Sequence, residues 1–208
     1  MTRPSSVWRA ADPLVLASKS NARAALLRAA GFSFSVEPAH LDERLFEENL
    51  ENEQRRPASL AQNLASEKAR LVSIRNPDAW VLGADQTLAI DDVLMHKSDT
   101  RDAAHRQIET FSGRTHQLFS AVAVARNARV IWTHFERVDL TMRSLSNEAI
   151  SIYLDHALPD CLSAVGCYHW ETLGRHLFHA VEGRDDVILG LPLDAVIGIF
   201  RSAQCLKF

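Results

Sequence analysis

The chain lacks several features that would assign it to common classes of protein. Its 208 residues include three cysteines, Cys161, Cys167 and Cys205, and no CxxC pair, which argues against a disulfide framework and against a zinc site. No apolar run approaches the roughly 18 residues that a membrane helix needs, and the N-terminus has no continuous apolar segment typical of a signal peptide. We therefore expect a cytoplasmic protein with no membrane partner.

Excess positive charge and a phosphate-binding glycine loop are also missing. The formal net charge is −3, which does not favour non-specific binding to nucleic acid. The glycines and the Gly-Lys-Ser/Thr core of a Walker A loop are absent, and the nine histidines form no HExxH motif. His116 and His169 remain candidates for chemistry, with an ordinary surface or partly buried role as the alternative for each.

Hydrophobic periodicity and turn residues predict an α/β fold. Residues 1–12 are expected to form a short extension, and residues 13–208 a single domain. The predicted strands cover 13–17, 32–36, 80–88, 114–125, 130–142 and 176–181, with a short strand ending at 95. Helices are predicted over 22–30, 57–74 and 100–111, after Ser146, and through the apolar positions 193, 196, 197 and 200, whereas 37–56 is expected to include loop. This order indicates a two-lobed mixed sheet with flanking helices and a central cleft.

The chain is organised around residues 79–87, an apolar run that ends in Gly83 and is followed by Asp85 and Gln86. This pattern predicts a buried strand that delivers a carboxylate to its own end, where α/β sheets bind ligands. A strand followed by an ordinary aspartate turn is the alternative.

Positively charged residues in two parts of the sequence suggest binding of phosphate. Ser18, Lys19, Ser20 and Arg23 surround a predicted helix start, where free backbone N–H groups attract anions; a solvated, serine-capped helix start is the alternative. Lys68 falls on the apolar stripe of the helix over 57–74, and lysines are rarely buried unless they are paired. Its alternative is a side chain that extends along the edge of the core to water.

Carboxylates and further cations complete the set of candidates. Asp42, Glu43 and Asp85 could hold a hard cation such as Mg²⁺ and position a water for phosphoryl transfer, although Asp42 and Glu43 could equally be solvated loop acids. Lys97 and Arg114 could stabilise the charge of a polyphosphate, or each could be a surface residue.

Taken in order, these segments resemble the Maf family of nucleoside triphosphate pyrophosphatases over nearly the whole chain after the first dozen residues. The matching motifs are Leu-Ala-Ser-Lys-Ser-Asn-Ala-Arg at 16–23, Leu-Asp-Glu at 41–43, Glu-Lys-Ala at 67–69, Gly-Ala-Asp-Gln at 83–86, the lysine at 97, Ser-Gly-Arg-Thr-His at 112–116 and Gly-Leu-Pro-Leu at 190–193.

The resemblance implies a Maf/ITPase-like fold, usually dimeric, that hydrolyses a nucleoside triphosphate to the monophosphate and pyrophosphate with Mg²⁺ or Mn²⁺. It implies that Asp85 is the general base or water-positioning group and that Glu43 and Asp85 bind the metal. Phosphate binding would fall to five residues, namely Ser18, Ser20, Arg23, Lys68 and Lys97.

The branch of the family can also be predicted. Gln86 after Asp85 and the sequence Glu-Thr-Leu-Gly from Glu171 resemble the branch that acts on 7-methyl-GTP, and the resemblance implies that Ala22, Gln86 and Glu171 select the base. Ala22 stands where the dTTP/UTP branch has an additional arginine, although it also lacks the bulky side chain often found at this position. A glutamate can accept hydrogen bonds from the guanine N1–H and exocyclic amine, a donor pair that uracil lacks, and Trp170 could stack on a cationic base or simply pack.

The chain departs from the family pattern at a few positions, and other functions stay open. Asn21 replaces a usual proline, His96 and Ser98 replace the usual neighbours of Lys97, and residues 167–170 differ from both branches. The alternatives are dTTP/UTP or CTP hydrolysis, and a non-catalytic protein that binds nucleotide for regulation.

Overall fold

A computed structural model describes residues 6–208, so the first five residues of the predicted extension lie outside the described part. The predicted α/β class is confirmed, because helices flank one seven-stranded sheet of order β2-β1-β3-β5-β6-β7, with β4 paired to β3. The strands are β1 (Leu14–Ala17), β2 (Ser35–Val36), β3 (Trp80–Ile90), β4 (Val93–Met95), β5 (Thr115–Arg126), β6 (Arg129–Met142) and β7 (Phe178–Glu182).

The predicted helices form, and their ends follow the expected capping chemistry. The α-helices of the structure are α1 (Asn21–Ala29), α2 (Glu43–Glu48), α3 (Pro57–Arg75), α4 (Arg101–Phe111), α5 (Asn147–Ala157), α6 (Asp185–Ile188) and α7 (Leu193–Ser202), of which α2 and α6 were not predicted. Ser20 and Ser146 cap α1 and α5 with their side chains, and Pro57 opens α3 as expected. Gly31 follows α1 with a φ of +80°, a value that favours glycine.

One predicted strand needs correction, and two short helices were not predicted. The strand predicted over 32–36 is only Ser35–Val36, because Phe32 turns into the core and packs on Trp8 and Phe200. The stretch over 37–56 contains α2, which has no buried residue and therefore no apolar stripe to reveal it. The four-residue α6 was likewise not predicted.

The sheet is mixed, as predicted, and its register determines where Asp85 lies. β1 runs parallel to β2 and to β3, while β4 is antiparallel to β3 and β7 is antiparallel to β6. The last β1 pair joins Ala17 to Gly83, but β3 continues to Ile90. Asp85 is therefore inside β3 and just past the end of β1, rather than at the end of its own strand.

The chain divides into two compact units. Unit 1 contains the described residues up to Gln86 together with Ser120–Glu136 and Asp185–Phe208. Unit 2 contains Thr87–Phe119 and Arg137–Arg184. Strands β3, β5 and β6 contribute residues to both units.

The core of unit 1 lies on one face of its sheet. Alternate residues of β1, β3 and β5 point to that face and meet α1 and α7. Trp8 adds an edge-to-face contact with Phe200, with ring centroids 5.1 Å apart. The opposite face of β3 packs on α3, and this second face carries the polar groups described next.

None of the helices within residues 6–208 is long and apolar enough to cross a membrane. The three cysteines are buried and are not paired in disulfides.

Candidate functional site

A buried ion-pair cluster joins α2, α3 and β3 in unit 1. The ammonium of Lys68 lies 2.5 Å from Asp85 Oδ1 and 2.7 Å from Glu43 Oε1. The side chains of Lys68 and Asp85 are 11% and 9% exposed, whereas that of Glu43 is 53% exposed. The cluster therefore has an inner aspartate, an outer glutamate and a lysine that bridges them.

The close approach of α3 to β3 makes this contact possible. Residues 83 and 85 point to the same face of β3 because side chains alternate along a strand. A Cβ at Gly83 would lie 2.2 Å from the carbonyl oxygen of Ala65 and 2.8 Å from the amide nitrogen of Ala69, so only glycine fits there. Because Gly83 has no side chain, α3 packs directly against β3, and Lys68 lies within hydrogen-bond distance of Asp85.

The inward position of Lys68 follows from helical spacing. The buried stripe of α3 includes Leu60, Leu64 and Lys68, as the sequence predicts, although Leu71 is only half-buried. Small residues at 61, 65 and 69 complete the buried face. The bonds of Lys68 to two carboxylates replace the hydration that a lysine at the edge of a core would seek in water.

The two acids at 42 and 43 have different roles. Asp42 caps α2, its carboxylate accepting a hydrogen bond of 3.0 Å from the amide of Leu45. Glu43 begins α2 and reaches Lys68. Of the two acids, Glu43 belongs to the charged cluster and Asp42 shapes the helix that presents it.

Arg23 connects the start of α1 to β3 and to the turn before α7. Its Nη1 donates to Ala84 O at 2.7 Å and to Ser18 Oγ at 3.2 Å, and its Nε donates to Gly190 O at 2.9 Å. Ser18 Oγ also accepts from Ser20 N, and Ser20 Oγ caps α1 by accepting from Arg23 N. Ser18, Ser20 and Arg23 thus form one hydrogen-bonded unit next to the residue that precedes Asp85.

Burial and charge act in opposite directions at this site. Burial raises the pKa of Asp85, and the positive charges of Lys68 and Arg23 oppose that shift. Burial lowers the pKa of Arg23, while the carboxylates of Asp85 and Glu43 raise it; an arginine nevertheless stays protonated. The site therefore combines a carboxylate that is a stronger proton acceptor than usual with fixed positive charge.

Gln86 and Ala22 also belong to unit 1. The Gln86 side-chain nitrogen donates to Ser120 Oγ at 2.8 Å and to the carbonyls of Val187 and Ile188 in α6 at 3.1 and 3.0 Å. Its N–H groups are therefore committed to the protein, and its carbonyl oxygen is the atom available to accept from a ligand. Ala22 is half-buried in the first turn of α1.

The remaining predicted site residues lie in unit 2. Lys97 and Glu171 are both exposed. Arg114 forms an ion pair with Asp91, which accounts for it as a surface residue. Trp170 is 7% exposed and has the guanidinium carbon of Arg175 4.4 Å from its ring centroid, which favours the packing role over stacking on a base. His169 bonds Asp160 O and Ser163 Oγ.

Sequence reasoning missed several contacts in and near these residues. Ser120 and Gln107 were not singled out and Gly190 was noted only as part of the motif at 190–193, although each bonds a candidate residue or its neighbour. These contacts join residues far apart in sequence, and two of them use backbone carbonyls, which no residue type reveals. The inward stripe of α4 that carries Gln107 was the one available signal.

The Glu43–Lys68–Asp85 cluster fits a hard divalent cation. Its two carboxylates are the oxygen donors that such ions prefer. The ammonium of Lys68 contacts both carboxylates, so a positive charge is already bound between Glu43 and Asp85. Within residues 6–208, no group of three or more His, Cys, Asp or Glu side chains could hold a metal. Ligand oxygens and water would therefore have to complete the coordination of an ion at Glu43 and Asp85.

His116 is buried in the core of unit 2. Its Nε2 is 2.8 Å from Tyr168 Oη, its Nδ1 has no hydrogen-bond partner within the described residues, and its ring stacks on Phe111 at 4.5 Å. Burial lowers the pKa of His116 to about 4, against a weaker opposing effect of Asp139. This histidine is a neutral core residue.

We expect His116 to make stability depend on pH. Its pKa in the folded state is below the value near 6.5 of an unfolded chain. Below pH 6.5 this histidine binds a proton in the unfolded chain, whereas in the folded chain it stays neutral down to about pH 4. The free energy of unfolding therefore falls as the pH is lowered. The free energy of unfolding, measured with urea, should drop by about 2 kcal/mol between pH 7 and pH 5 through this residue.

The variant His116→Phe should lose that part of the pH dependence, and His179→Gln, at an exposed position on β7, should keep it. A His116→Phe variant with the full wild-type pH slope would contradict the assignment.

Comparison with known proteins shows the family of the chain. Residues 13–203 match the family model described as Maf-like protein. The chain is 44% identical over 202 residues to a protein of Nitrobacter hamburgensis named nucleoside triphosphate pyrophosphatase, covering 97% of this chain and 99% of that one. It is also 44% identical over 193 residues to a 7-methyl-GTP pyrophosphatase of Brucella suis, with 93% and 97% covered.

Among solved structures, a HAM1 protein from Coxiella burnetii aligns with a TM-score of 0.41 and 16% identity over 63% of this chain and 73% of that chain, a likeness too distant to bear on function. The family assignment depends on the sequence matches, which extend over the elements that carry Ser18, Glu43, Lys68 and Asp85. The chain therefore belongs to the Maf-like protein family.

Proposed function

We propose that the protein hydrolyses a nucleoside triphosphate to the nucleoside monophosphate and pyrophosphate, with a divalent metal ion. The observation that supports this most directly is the cluster in which Lys68 bridges the buried Asp85 and the exposed Glu43. A carboxylate that can take a proton stands beside fixed cations, which is the combination that metal-assisted phosphoryl transfer requires. The names of the relatives support the same activity.

In the proposed reaction, water attacks the α-phosphorus and the bond from that phosphorus to the α–β bridging oxygen breaks. Asp85 orients the water and accepts its proton, which burial of the carboxylate favours. Pyrophosphate leaves with the bridging oxygen. Mg²⁺ or Mn²⁺, held by Glu43, Asp85 and substrate phosphates, would supply positive charge where negative charge develops.

The cations and hydroxyls of the chain bind the phosphates in this proposal. Arg23 has Nη2 without an acceptor among the described residues, so this nitrogen can donate to a phosphate oxygen while Nε and Nη1 hold the backbone. Lys68 can exchange a carboxylate contact for a phosphate. Ser18 and Ser20 lie beside Arg23. Lys97, an exposed residue of unit 2, is proposed as a phosphate-binding lysine through the resemblance of its motif to that of the family.

We propose 7-methyl-GTP as the preferred substrate. Because the Gln86 N–H groups are bonded to Ser120 and α6, this side chain can only accept from a base, and Glu171 is an exposed acceptor. Acceptors suit the N1–H and amine of a guanine, and a negative group suits the positive charge of the methylated ring. Ala22 supports the same preference only in that it lacks the additional arginine of the dTTP/UTP branch.

The test is pyrophosphate release from 7-methyl-GTP, GTP, UTP, dTTP and CTP, each with Mg²⁺ or Mn²⁺. We expect kcat/KM for 7-methyl-GTP to exceed that for the other nucleotides by about tenfold or more, and a chelator should abolish release. Preference for a pyrimidine nucleotide would contradict the proposal for the substrate but leave the proposed reaction standing. Nucleotide binding without release from any substrate would instead identify a non-catalytic regulatory protein.

A further inference from the structure

One buried side chain in unit 2 holds the backbone on both sides of Lys97. Gln107 lies on the inner face of α4 and is 6% exposed. Its Nε2 donates to His96 O at 2.9 Å, and its Oε1 accepts from Ser98 Oγ at 3.0 Å. The two residues that precede and follow Lys97 are therefore bound to the same amide.

The same amide also binds a second segment. Cys167 Sγ donates to Gln107 Oε1 at 2.9 Å, and Cys167 is fully buried with a φ of +57°. The carbonyl of Cys167 in turn accepts from Tyr153 Oη of α5 at 3.0 Å. Gln107 thus ties the loop around Lys97 to α4 directly and to α5 through Cys167.

These bonds bear on Lys97 because that side chain is itself exposed. Lysine has a long, flexible side chain that loses much rotamer freedom when it is fixed. A lysine whose backbone also moved would lose still more on binding an anion. With His96 and Ser98 held, the Cα of Lys97 has a defined position before any ligand arrives.

We propose that Gln107 is a positioning residue for Lys97, one that fixes the backbone from which the lysine reaches a phosphate. This proposal rests on the phosphate-binding role proposed above for Lys97. It also accounts for Ser98 and Cys167, where the chain departs from the family pattern, since both side chains bond this glutamine, whereas His96 contributes only its backbone carbonyl. Gln107 acts through Lys97 and does not itself touch the substrate.

A double-mutant cycle tests the proposal. In the wild-type background, Gln107→Leu removes all three bonds and should raise KM for 7-methyl-GTP by about fivefold to tenfold, with a smaller change in kcat. In a Lys97→Ala background the same substitution should change KM by less than about twofold, because the side chain that it positions is gone. Equal changes in the two backgrounds would refute the proposal.

Two further variants separate positioning from general stability. Gln117→Leu removes a 3.2 Å bond between a glutamine and Asp139 elsewhere in unit 2, and it should lower the melting temperature without raising KM. Ser98→Ala removes one hydrogen bond of Gln107 and replaces Gln107→Leu in the cycle if that variant does not fold. The effect of Ser98→Ala on KM should likewise be absent in the Lys97→Ala background. An effect of Ser98→Ala that persists in the Lys97→Ala protein counts against the proposal.

A readout independent of turnover keeps this test distinct from the test of function. Hydrogen exchange at the amides of residues 97 and 98 should speed up in Gln107→Leu and stay unchanged in Gln117→Leu. If the wild type releases no pyrophosphate, the proposed reaction fails, and the cycle is repeated on the affinity for inorganic pyrophosphate. Coupling between Gln107 and Lys97 in that affinity would support positioning, whereas additive effects or no binding would refute it.

Discussion

Replacement of Asp85 by asparagine is expected to lower kcat for pyrophosphate release by about two to four orders of magnitude. Asparagine has nearly the same size, but it neither accepts a proton from water nor contributes negative charge to a metal site. Lys68 keeps its 2.7 Å contact with Glu43, so the fold should persist. Single-turnover release from 7-methyl-GTP measures the effect, and circular dichroism reports on folding.

Asp91→Asn is the matched control for this substitution. Asp91 is an exposed aspartate of unit 2 that pairs with Arg114, and its φ of +50° suits asparagine. The control should retain turnover within about twofold of wild type, as expected of an exposed residue to which no part in the reaction is assigned. If Asp85→Asn also retained near-normal turnover, Asp85 would have no part in the reaction.

The substitution Gly83→Ala is expected to reduce the free energy of unfolding by about 4 kcal/mol or more. The new methyl group would lie 2.2 Å from a carbonyl oxygen and 2.8 Å from an amide nitrogen of α3. Both are backbone atoms, so the strain can be relieved only if the whole helix shifts. That shift would also draw Lys68 away from Asp85, and activity should fall further than the folded fraction does.

Gly198→Ala provides the comparison, since a Cβ at Gly198 in α7 meets nothing within 4 Å. Alanine favours a helix, so this variant should be more stable than wild type by up to about 1 kcal/mol. Urea unfolding measures the free energy of unfolding of Gly83→Ala and Gly198→Ala against that of the wild type. Equal stability of the two would mean that α3 does not rest on Gly83.

Local sequence signals predicted α1, α3 and β3, but not α2, among the elements that carry the site. Serine caps, Pro57 and the spacing of Leu60, Leu64 and Lys68 determine α1 and α3 through interactions within a few residues, which a pattern can reveal. The pattern also predicted that Lys68 faces inward. It could not identify Glu43 and Asp85 as the partners of this lysine, because that pairing depends on how α2 and β3 pack.

The elements that were missed share a physical cause. α2 is six residues long, buries none of them and depends on the Asp42 cap, so no hydrophobic period marks it. The end of the apolar run at Gly83 suggested that Asp85 lies at a strand end, although the strand predicted over 80–88 already passed it; in the structure the strand continues through the glycine to Ile90. There the glycine marks a close helix contact rather than a turn, a distinction that only the packed structure can make.

The bonds of Arg23 have a consequence for the thermodynamics of ligand binding. Its guanidinium is fixed by Ala84, Gly190 and Ser18 when the chain folds, so the loss of rotamer entropy occurs during folding and not during binding. A freely rotating arginine would lose about 1 kcal/mol on capture of a phosphate. An anion that reaches Arg23 therefore meets a preorganised donor, and its binding enthalpy is not offset by the ordering of that side chain.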